Sequence, residues 1–208
     1  MSKATKWGLL FLILLFPSLL YITLSTGKHN LFSLPYYGQS SVKAEGDTVY
    51  SPIEVQKDLL PVWSDLDTCY FVLAFIDPEN EMLSSRVGTQ LSSLAEKLSP
   101  MEDFRIMVLS NGELTEKREL FQAFANDTDK WNFLNFSEGL ADFTQRHFSW
   151  DTELQDPYNR LYLIDKQSFV RGVYTAQEYS KVKDLSDDVK ALKADELIPK
   201  KNERISGE

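Results

Sequence analysis

Cysteine and histidine are almost missing from this chain of 208 residues, which contains one cysteine and two histidines. A single cysteine excludes a disulfide within the chain and any metal cluster built on several thiolates. Basic residues are also in deficit, because 22 Lys and Arg stand against 31 Asp and Glu, for a formal net charge of −9. A nucleic-acid-binding protein needs a basic face to neutralise phosphates, so this balance argues against that class.

The residues that are present indicate a folded domain with an appendage. Hydrophobic residues make up 43% of the chain and aromatic residues 12%, which is too much for a disordered protein. The charge is distributed unevenly. Residues 1–28 contain three lysines and no acid, so they carry +3 and the remaining 180 residues carry −12.

One long apolar run, residues 7–24, separates these two regions and contains no charge. A helix of about 20 apolar residues spans a bilayer, and Trp7 and Tyr21 lie near the ends of the run, where aromatic rings favour the interface. A cleaved signal peptide is the alternative. Its apolar core would normally be shorter and followed by an Ala-x-Ala site, although the small residues 25–27 leave cleavage open. A buried helix of a soluble core is less favoured, because no face of the run is polar. We therefore predict one N-terminal transmembrane helix.

The positions of the lysines predict the orientation of this anchor. Lys3 and Lys6 precede the apolar run, and the positive-inside tendency keeps them in the cytoplasm. The acidic remainder then lies in the periplasm, which makes the chain a single-pass protein of the inner (cell) membrane.

Beyond the anchor, short apolar runs alternate with helical patterns. Strands are predicted at residues 69–76, 104–109, 131–134, 161–164 and 169–174. Helices are predicted to open at Asp77-Pro78-Glu79, over residues 115–125, at Ser137 and at the capping box Thr175 to Glu178, the last one running to about Leu192. Strands separated by helices pair in parallel, and the last two strands form a hairpin at Asp165–Ser168. The predicted fold is α/β, a thioredoxin-like mixed sheet with flanking helices, preceded by the transmembrane helix.

These predictions give a domain layout along the chain. Aromatic residues in the stem are expected to pack on the domain or to lie at the membrane surface. The layout is a cytoplasmic N-terminus at residues 1–6, a transmembrane anchor at 7–26, a juxtamembrane stem at 27–57, a thioredoxin-like domain at 58–194 and a polar tail at 195–208.

Several segments, in this order and spacing, resemble the Sco/SenC-type copper chaperones, which are thioredoxin-like proteins anchored by one N-terminal helix. The likeness covers most of residues 5–192. The segments are LSTGKHNLFSLPYYG at 24–38, DTVY at 47–50, the strand and helix at 71–98, LTEKRELFQAFANDTDKWNFL at 114–134 and LYLIDKQSFVRGVY at 161–174.

The resemblance also implies where a copper site should be. The family holds copper with a Cys-x-x-x-Cys pair between the first core strand and its helix and with a distal histidine. In this chain Pro78 and Met82 occupy the two cysteine positions, and the histidine position falls near Pro157. The sequence therefore resembles a degenerate member without the three ligands, and we predict no metal ligand, no cofactor and no catalytic residue.

Two sulfur-containing residues remain as candidates. Cys69 begins an apolar strand and does not lie at a helix N-terminus, so core packing is favoured over a reactive thiol. Met82 could offer a thioether to copper(I), but packing on the core or the helix face is favoured.

The histidines and acidic clusters have ordinary structural interpretations. His147 is predicted at a helix C-terminus, where a cation is stabilised, and His29 lies just outside the membrane, so the two have no ligand spacing. The carboxylates of Asp77, Glu79 and Glu81 could bind a hard cation, but they are also what a helix N-terminus favours. A solvated acidic surface is predicted for Asp127, Asp129, Asp187 and Asp188.

The sequence thus favours a tethered binding or assembly accessory that is not an enzyme. The resemblance implies a setting near the biogenesis of respiratory cytochrome oxidase, with oxidase-assembly components as protein partners and the membrane as the other contact. The alternative is an active copper chaperone that uses unusual ligands, such as Met82, Cys69 and residues of a partner.

Overall fold

A computed structural model describes residues 15, 17, 18, 34–42, 48–53, 68–77, 79–110, 130–135, 140–151 and 156–197. The chain divides into two units, residues 35–190 in one and residues 1–34 with 191–208 in the other. Most of the predicted anchor, residues 7–26, lies outside the described residues; Leu15, Pro17 and Ser18 are described and have helical backbone. Within the ranges given above, no helix has both the length and the apolar character needed to cross a bilayer.

The described residues form seven strands, three α-helices and one short 3₁₀ turn. The strands are β1 (Ser40–Val42), β2 (Thr48–Tyr50), β3 (Tyr70–Ile76), β4 (Phe104–Ser110), β5 (Trp131–Asn135), β6 (Arg160–Ile164) and β7 (Val170–Thr175). The helices are α1 (Glu81–Lys97), α2 (Leu140–Phe148) and α3 (Tyr179–Leu197), and the 3₁₀ turn is Pro157–Asn159.

Five of these strands form one mixed sheet in the order β5-β4-β3-β6-β7. The central strand β3 pairs in parallel with β4, which pairs in parallel with β5. On its other side β3 pairs antiparallel with β6, which forms a hairpin with β7. This order, with helices α1 to α3 following β3, β5 and β7, confirms the predicted thioredoxin-like mixed sheet.

The core lies on both faces of β3, all seven residues of which are buried. This explains why the strand is apolar throughout and does not alternate. On one face an aromatic cluster forms around Phe75, whose ring centroid lies 5.7 Å from that of Phe148 and 6.0 Å from that of Tyr162. The buried side chains of α1 include those of Val87, Leu91 and Leu94, at helical spacing.

Helix α1 begins later than predicted, because its N-cap is Asn80 and not Asp77. The Asn80 side chain accepts a hydrogen bond from the amide of Leu83 at 3.1 Å. Asp77 precedes a proline, which disfavours helical backbone, and its Oδ1 accepts the amide of Glu79 at 3.0 Å. The carboxylate of Asp77 therefore closes the turn that leads into the helix.

Helix α3 also begins later than the capping box at Thr175 predicts, at Tyr179. The amides of Ala176 and Gln177 are already bound by Asn159 of the 3₁₀ turn, through its backbone oxygen at 2.9 Å and its Oδ1 at 3.2 Å. Because a distant residue satisfies these donors, the chain stays in a turn until residue 179.

Among the described aromatic residues of the stem, Tyr36 and Tyr37 pack on the domain, which was one of the two predicted locations, whereas residue 32 lies outside the described residues. The ring centroid of Tyr36 lies 5.8 Å from that of Tyr50, in a stacked arrangement, and 5.4 Å from that of Phe169, edge to face. The Arg171 guanidinium lies 4.1 Å from the centroid of the Tyr36 ring. The amide of Tyr37 donates to the Val170 oxygen at 2.9 Å. The antiparallel hairpin β1–β2 within the stem was not predicted. The predicted helix at 115–125 lies outside the described residues.

Candidate functional site

The first candidate site is the junction between β3 and α1, where the resemblance places the two cysteines of the family. Its backbone is fixed by its own side chains. In addition to the bonds of Asp77 and Asn80 given above, the Ser84 hydroxyl donates to the Asp77 backbone oxygen at 2.7 Å. These contacts hold the first turn of α1 against the end of the strand.

The 3₁₀ turn Pro157–Asn159 contacts both β3 and α1. Asp156 caps this turn by accepting the amide of Tyr158 at 3.1 Å. A small cavity of about 180 Å³ lies here, lined by Asn80, Met82, Leu83, Arg86, Asp156 and Gln177. The positions that the resemblance relates to copper ligands, near residues 78, 82 and 157, therefore come from elements that meet at one end of the sheet.

Met82 does not pack against the core, so the favoured sequence interpretation was wrong. Its side chain is 76% exposed, whereas Val87, Leu91 and Leu94 further along α1 are buried. The reason is the later start of the helix, since Met82 lies in its first turn, before the buried stripe begins.

Cys69 is buried, as the core-packing interpretation predicts, and its sulfur lies 3.7 Å from the Thr68 hydroxyl. It precedes β3, whereas Met82 follows the strand. Since a strand rises about 3.3 Å per residue, the seven residues of β3 separate the two by roughly 20 Å. One ion cannot bind both sulfur atoms, so the alternative that combined them has no geometric support.

The side chains around the junction do not fit copper(I). They offer the thioether of Met82, the carboxylate of Asp156, amide oxygens and the guanidinium of Arg86. Copper(I) prefers thiolate, thioether and imidazole ligands, and a single thioether is a poor site. Among the residues described, no three His, Cys, Asp or Glu side chains are grouped to hold a metal ion.

The remaining candidates behave mostly as predicted. Glu79 and Glu81 are exposed, and Glu81 lies in the first turn of α1, where the helix dipole favours an acid. His147 lies in the last turn of α2. The histidine at position 29 and the acids at 127 and 129 lie outside the described residues.

The acidic surface prediction was right for Asp187, which is exposed, and wrong for Asp188. Asp188 is half-buried, and its Oδ2 accepts a hydrogen bond from the Tyr174 hydroxyl at 2.6 Å. Burial raises the pKa of Asp188, and it also raises the pKa of Tyr174, an effect that the bond to Asp188 reinforces.

A larger cleft, which the sequence did not indicate, lies between the stem and the end of α2. It has a volume of about 480 Å³ and is lined by Tyr37 to Gln39, Ser51 to Ile53, Arg146, His147, Trp150 and Val170. We call it the stem cleft. Its residues come from stem segments that lie 93 or more positions before Arg146, and only the aromatic residues of the stem hinted that these segments meet.

No protein-family model matches the chain, and no curated protein matches it. Several solved structures do align with the chain. A SCO1/SenC family lipoprotein from Bacillus anthracis aligns with a TM-score of 0.54 and 16% identity, over 77% of this chain and 95% of that chain. BsSco, described as a member of the Sco family of cytochrome c oxidase assembly proteins, aligns with a TM-score of 0.49 and 18% identity, over 79% and 96%. Arabidopsis thaliana ScoI with copper bound gives 0.48 and 15%, over 76% and 98%. The alignment with the Bacillus anthracis structure confirms the resemblance to Sco/SenC proteins at the level of the fold.

Proposed function

We propose that this chain is a membrane-anchored, extracytoplasmic Sco/SenC-like protein without a copper or redox site, which binds a protein partner as an assembly accessory and is not an enzyme. The observation that carries the proposal is the chemistry at the β3–α1 junction. Pro78 and Met82 stand at the positions that the resemblance assigns to cysteines, and the surrounding donors do not fit copper(I). A single buried thiol, Cys69, supports neither dithiol exchange nor a cysteine nucleophile at this junction.

The setting of this role is proposed from the resemblance and from the charge of the chain. BsSco is described as belonging to a family of cytochrome c oxidase assembly proteins, and we extend that setting to this chain. The apolar run at residues 7–24, with lysines before it and an acidic remainder after it, supports an anchor in the cell membrane and a domain in the periplasm.

Met82 is the proposed centre of the partner surface. An exposed methionine is flexible and polarisable, which suits adaptable protein contacts, and the Met82 side chain is 76% exposed beside Arg86 and Asp156. A domain that binds no metal can still contact oxidase-assembly components through this same end of the sheet.

A copper(I) titration of the purified full-length chain, with a competing chelator, tests the first half of the proposal. We expect no stoichiometric binding at sub-micromolar affinity, which corresponds to about −8 kcal/mol. Stoichiometric binding in that range would contradict the loss of the copper site.

Site-specific photo-crosslinking in membranes tests the second half. A photoreactive residue at Met82 should capture an oxidase-assembly component or an oxidase subunit, whereas the same residue at the exposed Lys183 of α3 should not. Equal capture at both positions, or capture of only unrelated proteins, would overturn the assembly role. Digestion of the domain by protease added only from the cytoplasmic side would overturn the orientation.

A further inference from the structure

The stem cleft is large enough for a small ligand, and its walls are fixed. Pockets that bind small molecules occupy about 300–1,000 Å³ and combine apolar walls with a few polar groups. The Trp150 ring, one wall, lies 6.2 Å from Phe148 and 6.3 Å from Tyr162, both in the aromatic core. The Tyr37 ring lies 6.4 Å from that of Trp150 at an interplanar angle of 29°.

Gly38 allows the stem to pack against Trp150. Its φ of +129° lies in a region that side chains rarely adopt, and a Cβ built there would lie 3.9 Å from Trp150 Nε1. The amide of Ile53 donates to the Ser168 oxygen at 2.8 Å, which fixes the end of the stem to the β6–β7 hairpin. The cleft is therefore held open by backbone hydrogen bonds and aromatic packing.

The charge of the cleft is opposite to that of the protein. Two basic side chains, those of Arg146 and His147, line it, and none of its lining residues is acidic, although the chain carries −9 overall. Arg146 is exposed, and within the part of the chain that the structure describes, no carboxylate pairs with its guanidinium. A guanidinium in this position can donate two parallel hydrogen bonds to a carboxylate.

The C-terminus of α2 would repel an anion if its carbonyls were free, since the helix dipole is negative there. Three of these carbonyls are already satisfied. The Arg146 oxygen accepts from Gln39 Nε2 at 3.4 Å, the His147 oxygen from Trp150 Nε1 at 2.6 Å and the Phe148 oxygen from the Asp151 amide at 2.9 Å. These donors offset the negative end of the helix and leave the Arg146 guanidinium to set the charge of the cleft.

We propose that the stem cleft binds a carboxylate carried on a flat apolar body, that is, an aromatic carboxylate. The Arg146 guanidinium would bind the carboxylate, and the walls of Tyr37 and Trp150 would contact the ring. The ligand can be a free aromatic acid or the C-terminal aromatic residue of a peptide, since both present the same chemistry. This proposal does not depend on the function proposed above, because it uses a different site.

Binding is tested on the ¹⁵N-labelled full-length chain by following the indole N–H resonance of Trp150, assigned with the Trp150→Phe variant. The probes are phenylacetate and N-acetyl-phenylalanine, with phenylacetamide lacking the charge and acetate lacking the ring. We expect saturable shifts with the first two and affinities lower by at least about tenfold, or ~1.4 kcal/mol, for the two controls. Tighter binding of N-acetyl-phenylalanine identifies a peptide terminus, and tighter binding of phenylacetate identifies a free acid.

Arg146→Gln should weaken phenylacetate binding by about tenfold or more, whereas Lys183→Gln, the same loss of charge on the exposed face of α3, should not change it. Ser51→Glu places a carboxylate at the cleft while leaving Arg146 intact, and it should weaken binding as well. Thermal melts show whether each variant is folded. The absence of saturable binding, equal binding of acetate and phenylacetate, or full affinity in a folded Arg146→Gln variant would overturn the proposal.

Discussion

Replacing Lys130 with methionine should lower the free energy of unfolding more than the same replacement of an exposed lysine does. Lys130 directly precedes β5 and is only 6% exposed. Its ammonium donates to the backbone oxygens of Leu98 at 3.0 Å, Ser99 at 2.8 Å and Met101 at 2.7 Å. These carbonyls follow the C-terminus of α1, where the helix dipole favours a cation. One side chain therefore ties the end of α1 to the edge of the sheet.

The size of the effect is a balance of two terms. A hydrogen bond to a charged group contributes about 1.5–3 kcal/mol, and three such bonds on one nitrogen are not additive. Removal of the ammonium also removes the cost of burying it, which is several kcal/mol. Methionine retains most of the apolar stem, so little packing is lost. We expect Lys130→Met to lower the free energy of unfolding by about 2–4 kcal/mol, and the Tm by roughly 10 °C.

Urea denaturation of the full-length chain, followed by circular dichroism, measures this loss. Lys183→Met is the matched control, because Lys183 is exposed on α3, and it should change the stability by less than about 0.5 kcal/mol. If the two variants lose the same stability, the three hydrogen bonds of Lys130 do not hold α1 to the sheet and the reasoning fails.

Three further predictions concern β7 and its neighbours. Arg171 and Asp165 form a buried ion pair at 3.0 Å, so Arg171→Met should cost about 3–5 kcal/mol in urea titrations, and Asp165→Asn should restore part of that loss; no restoration would contradict the pairing. A Cβ on Gly172 would overlap the Tyr174 hydroxyl and lie 2.6 Å from Cε2 and Cζ of its ring, so Gly172→Ala should cost about 1–3 kcal/mol in urea titrations. The cost should be much smaller in a Tyr174→Ala background, which removes the ring, and an equal cost in both backgrounds would contradict the clash. Burial raises the pKa of Asp188 above its ordinary value of 3.8, so the folded state holds the proton more tightly and loses stability as the pH rises through that pKa. Asp188→Asn should therefore stabilise the protein at pH 7, by up to about 0.5 kcal/mol, and the gain should vanish near pH 3; a gain independent of pH would contradict this cause.

The sheet could be predicted from the sequence because its signals are local. The run at residues 69–76 is apolar throughout, and the structure buries every residue of β3. The hairpin at Asp165 was predicted from turn chemistry. The Oδ1 atom of Asp165 does accept hydrogen bonds from the amides of Gln167 at 2.9 Å and Phe169 at 3.0 Å. A pattern that is satisfied within a few residues is visible without the rest of the fold.

The start of α3 and the stem cleft could not be predicted, because distant residues decide them. Asn159 accepts the amides of Ala176 and Gln177, which lie inside the predicted capping box, and Asn159 lies 16 positions before Thr175 in the chain. The stem cleft depends on the hydrogen bond that Gln39 Nε2 donates to the backbone oxygen of Arg146, which lies 107 positions later in the chain. Neither contact corresponds to a periodicity or a motif in the sequence. Local patterns therefore predict each segment without the contacts that it makes with distant residues.

The β3–α1 junction is held together by hydrogen bonds of its own side chains. In this chain the junction is closed by Asp77, Asn80 and Ser84, whose side chains each bind a backbone group of the same turn. Hydrogen bonds of this kind contribute about 0.5–1.5 kcal/mol each, so the junction is fixed by the chain's own atoms and its geometry does not depend on a bound ion. Under the function proposed above, a junction fixed in this way keeps its shape with Pro78 and Met82 at the positions that the resemblance assigns to cysteines, and Met82 is left to contact a partner.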